Sequence, residues 1–269
     1  MSNAIGEFNW VGSEDNYVDQ PHILQLHHVV IGRYGGNSGA GQCKNEDGCL
    51  VWINKKLDWE FALLLDAHNT SESAELILET FNTEKFPIQQ ILSLPTNQQT
   101  FKQLEWKIIN MFQAEEFLSA CRNVTGETAC LIVARKDQYV WWFSVGDCIL
   151  YLFHQELAAL GQYQLNQRQF YEWIGQVNTF EQAVPCYSVG IRALRKGVNH
   201  LFLTTDGLIE CPNGPYANPI SIYHSFTKPN DKESIRLMLG NIKENGVRDS
   251  TTILSWQVNN SQEATTPSN

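Results

Sequence analysis

The chain has 269 residues, 43% of them hydrophobic, and a formal net charge of −10, proportions that give a large core and exclude a disordered protein. The acidic charge argues against non-specific binding to nucleic acid or an anionic membrane, since either surface would repel it. No run nears the roughly 20 apolar residues of a bilayer span, the start lacks a secretion signal's basic-then-apolar order, and seven cysteines without a C-x-x-C pair suit reduced thiols, so a cytoplasmic protein is expected.

In chain order, the first strand signals are His27 to Ile31, Cys49 to Asn54 and Phe61 to Leu65, short apolar runs bounded by Gly, Asn and Asp. Two amphipathic helices follow. Ser71 to Phe81 places Ala74, Ile77, Leu78 and Phe81 on one face, and Gln98 to Ala120 does the same with Phe101, Leu104, Ile108, Phe112 and Leu118. Thr128 to Ala134, Tyr139 to Val145 and Ile149 to His154 then read as an antiparallel meander, with Trp141-Trp142-Phe143 supplying core packing. Strands at Tyr187 to Leu194, His200 to Thr205 and Thr251 to Gln257 flank a third helix at Lys232 to Glu244, and the polar stretch from Cys211 to Asn230 reads as a long loop. Clustered helices and closely connected strands imply an α+β chain with antiparallel sheets covered by helices. No repeat or low-complexity linker divides it, so a single domain over residues 1–258 and a polar tail over 259–269 are expected.

The chemistry is carried by where the acids fall. Asp66 closes the apolar run Phe61 to Leu65, and Asp206 closes Leu201 to Thr205. Asp249 precedes Ser250 to Leu254, Asp147 lies between Val145-Gly146 and Ile149 to Leu152, and Glu46-Asp47 precedes Cys49 to Trp52. Any one of these fits an ordinary turn or cap aspartate, whose carboxylate accepts local backbone hydrogen bonds. Five such strand ends are harder to explain singly, because acids gathered beside apolar strands repel one another unless cations join them. An oxygen-rich pocket of this kind suits Mg²⁺ or Mn²⁺. His68, two residues beyond Asp66, could face the same pocket and supply a proton near neutral pH. His27-His28 reads as structural. Gly36 and Gly41 have the spacing of a nucleotide-phosphate loop, but Gln42-Cys43 follows instead of Lys-Ser/Thr, which excludes that reading.

Six segments together resemble the metal-dependent protein phosphatase family, the type 2C serine/threonine phosphatases. They are Gly39 to Asp47, Leu65-Asp66-Ala67-His68, Gly126-Glu127-Thr128-Ala129, Ser144-Val145-Gly146-Asp147, Thr205-Asp206-Gly207-Leu208 and Arg248 to Thr252, in the family's order. The resemblance implies a four-layer αββα sandwich of two antiparallel sheets flanked by helices, and hydrolysis of phosphoserine or phosphothreonine in proteins by a water activated by two metal ions. It implies that Asp66 bridges both ions, that the Ala67 carbonyl is a further ligand, and that Asp206 and Asp249 complete one site. Glu46 and Asp47 would act through metal-bound waters, Asp147 would help hold a third, weaker ion, and His68 would protonate the departing alkoxide.

Three residues depart from the pattern. Ala67 replaces a glycine, Ser250 replaces an asparagine, and Gln42 stands where many members carry an arginine that binds the substrate phosphate, so weaker phosphate binding is implied. A monomer acting on a phosphoprotein, with no nucleic-acid or membrane partner, is the expectation. The alternative is a non-catalytic phosphatase-like domain that binds or regulates a partner.

Overall fold

In the antiparallel sheets of this chain most strands are buried on both faces, which is why they read as unbroken apolar runs rather than as polar–apolar alternation. The computed structural model describes residues 5–226 and 230–263. In chain order the described elements are β1 (Gly6–Val11), β2 (His22–Leu26), β3 (Val29–Tyr34), β4 (Gly48–Asn54), β5 (Trp59–His68), α1 (Glu72–Thr83), α2 (Lys85–Leu92), α3 (Gln98–Phe112) and α4 (Glu115–Cys121). They continue with β6 (Glu127–Lys136), β7 (Tyr139–Val145), β8 (Ile149–Phe153), α5 (Gln155–Ala159), β9 (Ile174–Gly175), β10 (Ser188–Ala193), β11 (Gly197–Thr204), α6 (Pro219–Ser225), α7 (Asp231–Glu244) and β12 (Thr251–Asn260).

One sheet has the order β1-β4-β5-β6-β7-β10, with β9 paired to β6, and the second has the order β2-β3-β12-β11-β8. Strand periodicity divides β5 between two cores: Phe61, Leu63 and Leu65 face the layer of α1 to α4, while Ala62 and Leu64 face the second sheet. On the far side, Phe202 and Ile253 pack against Ile235, Met238, Leu239 and Ile242 of α7 and Ile222 of α6. Three apolar layers between four layers of backbone make the αββα sandwich. Among the described residues no helix is long and apolar enough to cross a membrane.

Several elements differ from their sequence reading. The expected three-strand meander is broken: β6 pairs with β7, but β8 pairs with β11 in the other sheet. The crossover turns at Gly146, which has φ +86°, and a Cβ there would stand 2.4 Å from the Cβ of Ala129. The long helix at Gln98 to Ala120 is two, because Ala114 is extended at ψ 133° and restarts the chain as α4. Helix α2 was hidden by Pro87, which lies within its first turn, where a missing N–H breaks no helical bond. The stretch from Cys211 holds α6, capped by the Asn218 side chain and opened by Pro219, rather than a long loop, and residues 227–229 of it lie outside the described residues. His27 turns between β2 and β3 at φ +55°, so that strand begins at Val29. Strand β12 runs to Asn260, two residues into the expected polar tail, whose residues 264–269 lie outside the described residues.

At one end of β5 and β6, Glu60 and Arg135 are directly opposed and both buried. Arg135 donates from Nε to Glu60 Oε2 at 2.5 Å and from Nη2 to Oε1, and the His28 ring reaches Oε1 at 2.9 Å. Burial disfavours the Glu60 charge, yet the hydrogen bonds from His28 and Arg135 hold its carboxyl below the usual range.

Candidate metal centre

The other end of the sandwich gathers the acids. Strand β5 outlasts its neighbour β4, whose first residue Gly48 pairs with Leu65, so Asp66 to His68 run on against β6 alone. Asp66 shares the inter-sheet face with Ala62 and Leu64, and at 2% exposure it closes that apolar layer with a carboxylate. Ala67 packs its methyl group into the helix-side core, and its backbone is not left-handed, so this position does not require glycine. Asp206 begins a 3-10 turn just past β11, Asp147 follows the glycine turn of the β7–β8 crossover, Asp47 precedes β4, and Asp249 precedes β12.

Asp66, Asp147 and Asp206 each contribute one carboxylate oxygen to a group whose members lie within 4.8 Å of one another. Asp47 is anchored beside them, its Oδ2 accepting from Thr252 Oγ1 at 2.7 Å and Thr205 Oγ1 at 3.2 Å. Asp47 Oδ1, Asp66 Oδ2, Asp147 Oδ1 and Asp206 Oδ1 are buried and have no hydrogen-bond partner among the described residues. A buried carboxylate oxygen without a partner is costly, and four in one place fit the donor set of a hard divalent cation.

The electrostatics say the same. Burial pushes the Asp66 carboxyl well above the carboxylate range, and the charges of Asp206, Asp47, Asp249 and Asp147 push it further. Asp47 is raised first by burial, with its threonine partners working the other way. Asp206, 8% exposed, is pushed up to about 8 by burial and by Asp249, Asp147 and Glu210. Asp249 stands at the solvent-exposed rim, its Oδ1 accepting from the Ser250 N–H at 2.9 Å. Cations would relieve this repulsion.

His68 is 43% exposed with Nδ1 4.0 Å from Asp66 Oδ1, beside the cluster and open to solvent. Glu46 is mostly buried at the same mouth, and Lys44 Nζ contacts its Oε1 at 2.5 Å and also the Asn69 carbonyl. Gln42 is only 8% exposed, and its Oε1 accepts the Cys43 N–H at 3.0 Å, so its amide oxygen is held by its own loop.

Two basic residues of this site were not read from the sequence. Lys44 sat inside the quoted Gly39–Asp47 segment, two positions before Glu46. Arg168 had no signal at all: it lies between β8 and β10, outside all six motif segments. Its Nη2 reaches Glu210 Oε1 at 2.5 Å, Asp147 Oδ2 at 3.2 Å and Asp206 Oδ2 at 3.4 Å. Burial works against the guanidinium charge, but the hydrogen bond and charge of Glu210 overturn it and hold the group firmly protonated.

No known family profile and no curated protein matches the sequence. Solved structures do match. A bacterial serine phosphatase is 14% identical with a TM-score of 0.61, over 97% of this chain and 100% of that one. Serine/threonine phosphatase Stp1 from Staphylococcus aureus is 14% identical with a TM-score of 0.60, over 96% of each chain. The chain has the bacterial serine/threonine phosphatase fold. RsbX in complex with magnesium shares this phosphatase fold at 16% identity and a TM-score of 0.54, over 89% of this chain and 100% of that one.

Within the phosphatase fold the glycine turn sets Asp147. Gly146→Ala places a methyl group against Ala129 in a left-handed backbone, a strain of about 1–3 kcal/mol. We expect a lower melting temperature and weaker Mn²⁺ binding. A variant that melts and binds like the parent shows that the turn does not position Asp147.

Proposed function

We propose that the chain is a metal-dependent serine/threonine protein phosphatase. The observation that carries this is the set of buried, unpartnered oxygens on Asp47, Asp66, Asp147 and Asp206 at one end of a phosphatase fold. The acids would hold two divalent ions, Mn²⁺ or Mg²⁺, with Asp66 central and Asp249 and Glu46 closing the rim, and the magnesium in RsbX supports that choice of metal. When bound, such ions supply an activated water and neutralise charge on the phosphoryl group.

The chain's own side chains do the rest. His68, exposed and on the same strand face as Asp66, delivers a proton to the departing serine or threonine oxygen. Lys44 takes the part of the phosphate-binding cation that Gln42, held on its own loop, leaves open, by turning from Glu46 and Asn69 toward a phosphoryl oxygen at the mouth.

Hydrolysis of a phosphoserine peptide with Mn²⁺, and with chelator in excess, tests the reading. Mn²⁺-dependent release of phosphate is expected. Turnover that survives chelation sinks the mechanism, and peptide binding without turnover favours the non-catalytic alternative. Lys44→Ala should raise KM about 10-fold or more, with kcat at saturating Mn²⁺ nearly unchanged, since a hydrogen bond to a charged group is worth about 1.5–3 kcal/mol. An unmoved KM removes Lys44 from phosphate binding.

A further inference from the structure

We propose that Arg168 is the resident cation on the outer side of the centre and limits it to two divalent ions. The inference rests on reading the acid cluster as a metal centre, and goes beyond it by assigning the residue that sets its capacity.

The geometry divides the carboxylates. Asp147 and Asp206 each turn Oδ2 toward Arg168 Nη2, at 3.2 and 3.4 Å, while the Oδ1 atom of each is buried without a partner. Glu210 Oε1 completes the outer set at 2.5 Å from the same nitrogen. Three carboxylate oxygens around one point are the donor set a hard cation would take, and here a guanidinium nitrogen occupies that point. The inner oxygens stay available, and the outer ones are committed.

The arginine is braced rather than loosely placed. Its Cζ lies 4.6 Å from the centroid of the Phe170 ring, a cation–π contact, and its side chain is 18% exposed. The next residue, Gln169, donates its N–H to the carbonyl of Gly146 at 2.9 Å, which ties this segment to the crossover that carries Asp147. Arginine and aspartate are thus held in register by backbone as well as by charge. A third ion between Asp147 and Glu210 would have to displace a fixed positive charge and break these contacts. The weaker third ion expected at Asp147 from the sequence therefore meets an arginine instead.

The test counts ions. Calorimetric titration with Mn²⁺, checked by the loss of free-Mn²⁺ electron paramagnetic resonance signal, is run on the full chain, Arg168→Met, Arg168→Lys, and Arg168→Met combined with Glu210→Gln. The parent and Arg168→Lys should bind two ions. Arg168→Met should bind three, and the added ion should vanish in the double variant. Arg168→Gln makes the same charge deletion if the methionine variant fails to fold. Three ions on the parent, or two on both parent and charge-deleted variant, overturn the proposal while leaving the metal centre standing. No ions on either overturns both.

Discussion

Replacing Asp66 by asparagine should abolish Mn²⁺-dependent phosphopeptide hydrolysis, by about 10³-fold or more, while making the metal-free protein more stable. The loss follows from taking away the charge of a buried carboxylate that feels four other acids of the cluster, since ion-borne stabilisation of several kcal/mol corresponds to about that factor. The gain follows because Asp66, buried and raised by four neighbouring acids, is a group whose charged form the metal-free fold resists. Its neutral form is favoured in the folded state. For a carboxyl raised above its unfolded value, the stabilisation is complete below about pH 4 and is lost as pH rises through the folded value, which for Asp206 is about 8. Metal-free parent protein should therefore lose melting temperature from about pH 4 to 8, Asp66→Asn should lose less, and Mn²⁺ should flatten the parent's curve. A variant that melts below the parent at pH 8 in chelator would show that the acids are not in mutual repulsion.

Arg135→Met should destabilise the fold by about 3–5 kcal/mol without changing Mn²⁺ affinity. The cost arises from the partner left behind: Glu60, buried and doubly hydrogen-bonded by Arg135, would keep only His28. Replacing both as Glu60→Leu with Arg135→Met removes the stranded charge and should recover most of the loss, since burying no ions is often as good as burying a pair. Urea unfolding measures both, and Mn²⁺ titration separates stability from site. The pair sits toward one end of β5 and Asp66 toward the other, so a fall in metal affinity in Arg135→Met would mean that the two ends are coupled. A double variant no more stable than the single one would mean that packing, not charge, governs this end.

The sequence showed the strands best where both faces are buried, as in β5 and β6, because their apolar runs leave little choice of element. It showed the acids because each terminates such a run. It misjudged β8, since antiparallel pairing within a sheet and a crossing between sheets begin with the same short glycine turn, and the pairing of β8 with β11 rather than β7 is made with a strand about 50 residues further on. It missed α2 because Pro87 breaks a helix interior but not a first turn. Arg168 was illegible for another reason. Its partners lie 21, 38 and 42 residues away, and an arginine in a polar loop carries no mark of the carboxylates it will meet. Gln42 shows the reverse, a position readable by its place in a motif whose amide oxygen is turned onto its own loop.

The carboxylates come from both sheets: Asp47 and Asp66 from the ends of β4 and β5, Asp206 and Asp249 from the ends of β11 and β12, with Asp147 on the strand-to-strand crossover between them. Asp47 already reaches across, accepting from Thr252 of β12 and from Thr205 just past the end of β11. An ion held by such a set is a rivet through the two sheets as well as a reagent. Slippage of one sheet over the other would then be felt first as a change in coordination, and emptying the centre would loosen the seam that keeps the sheets in step.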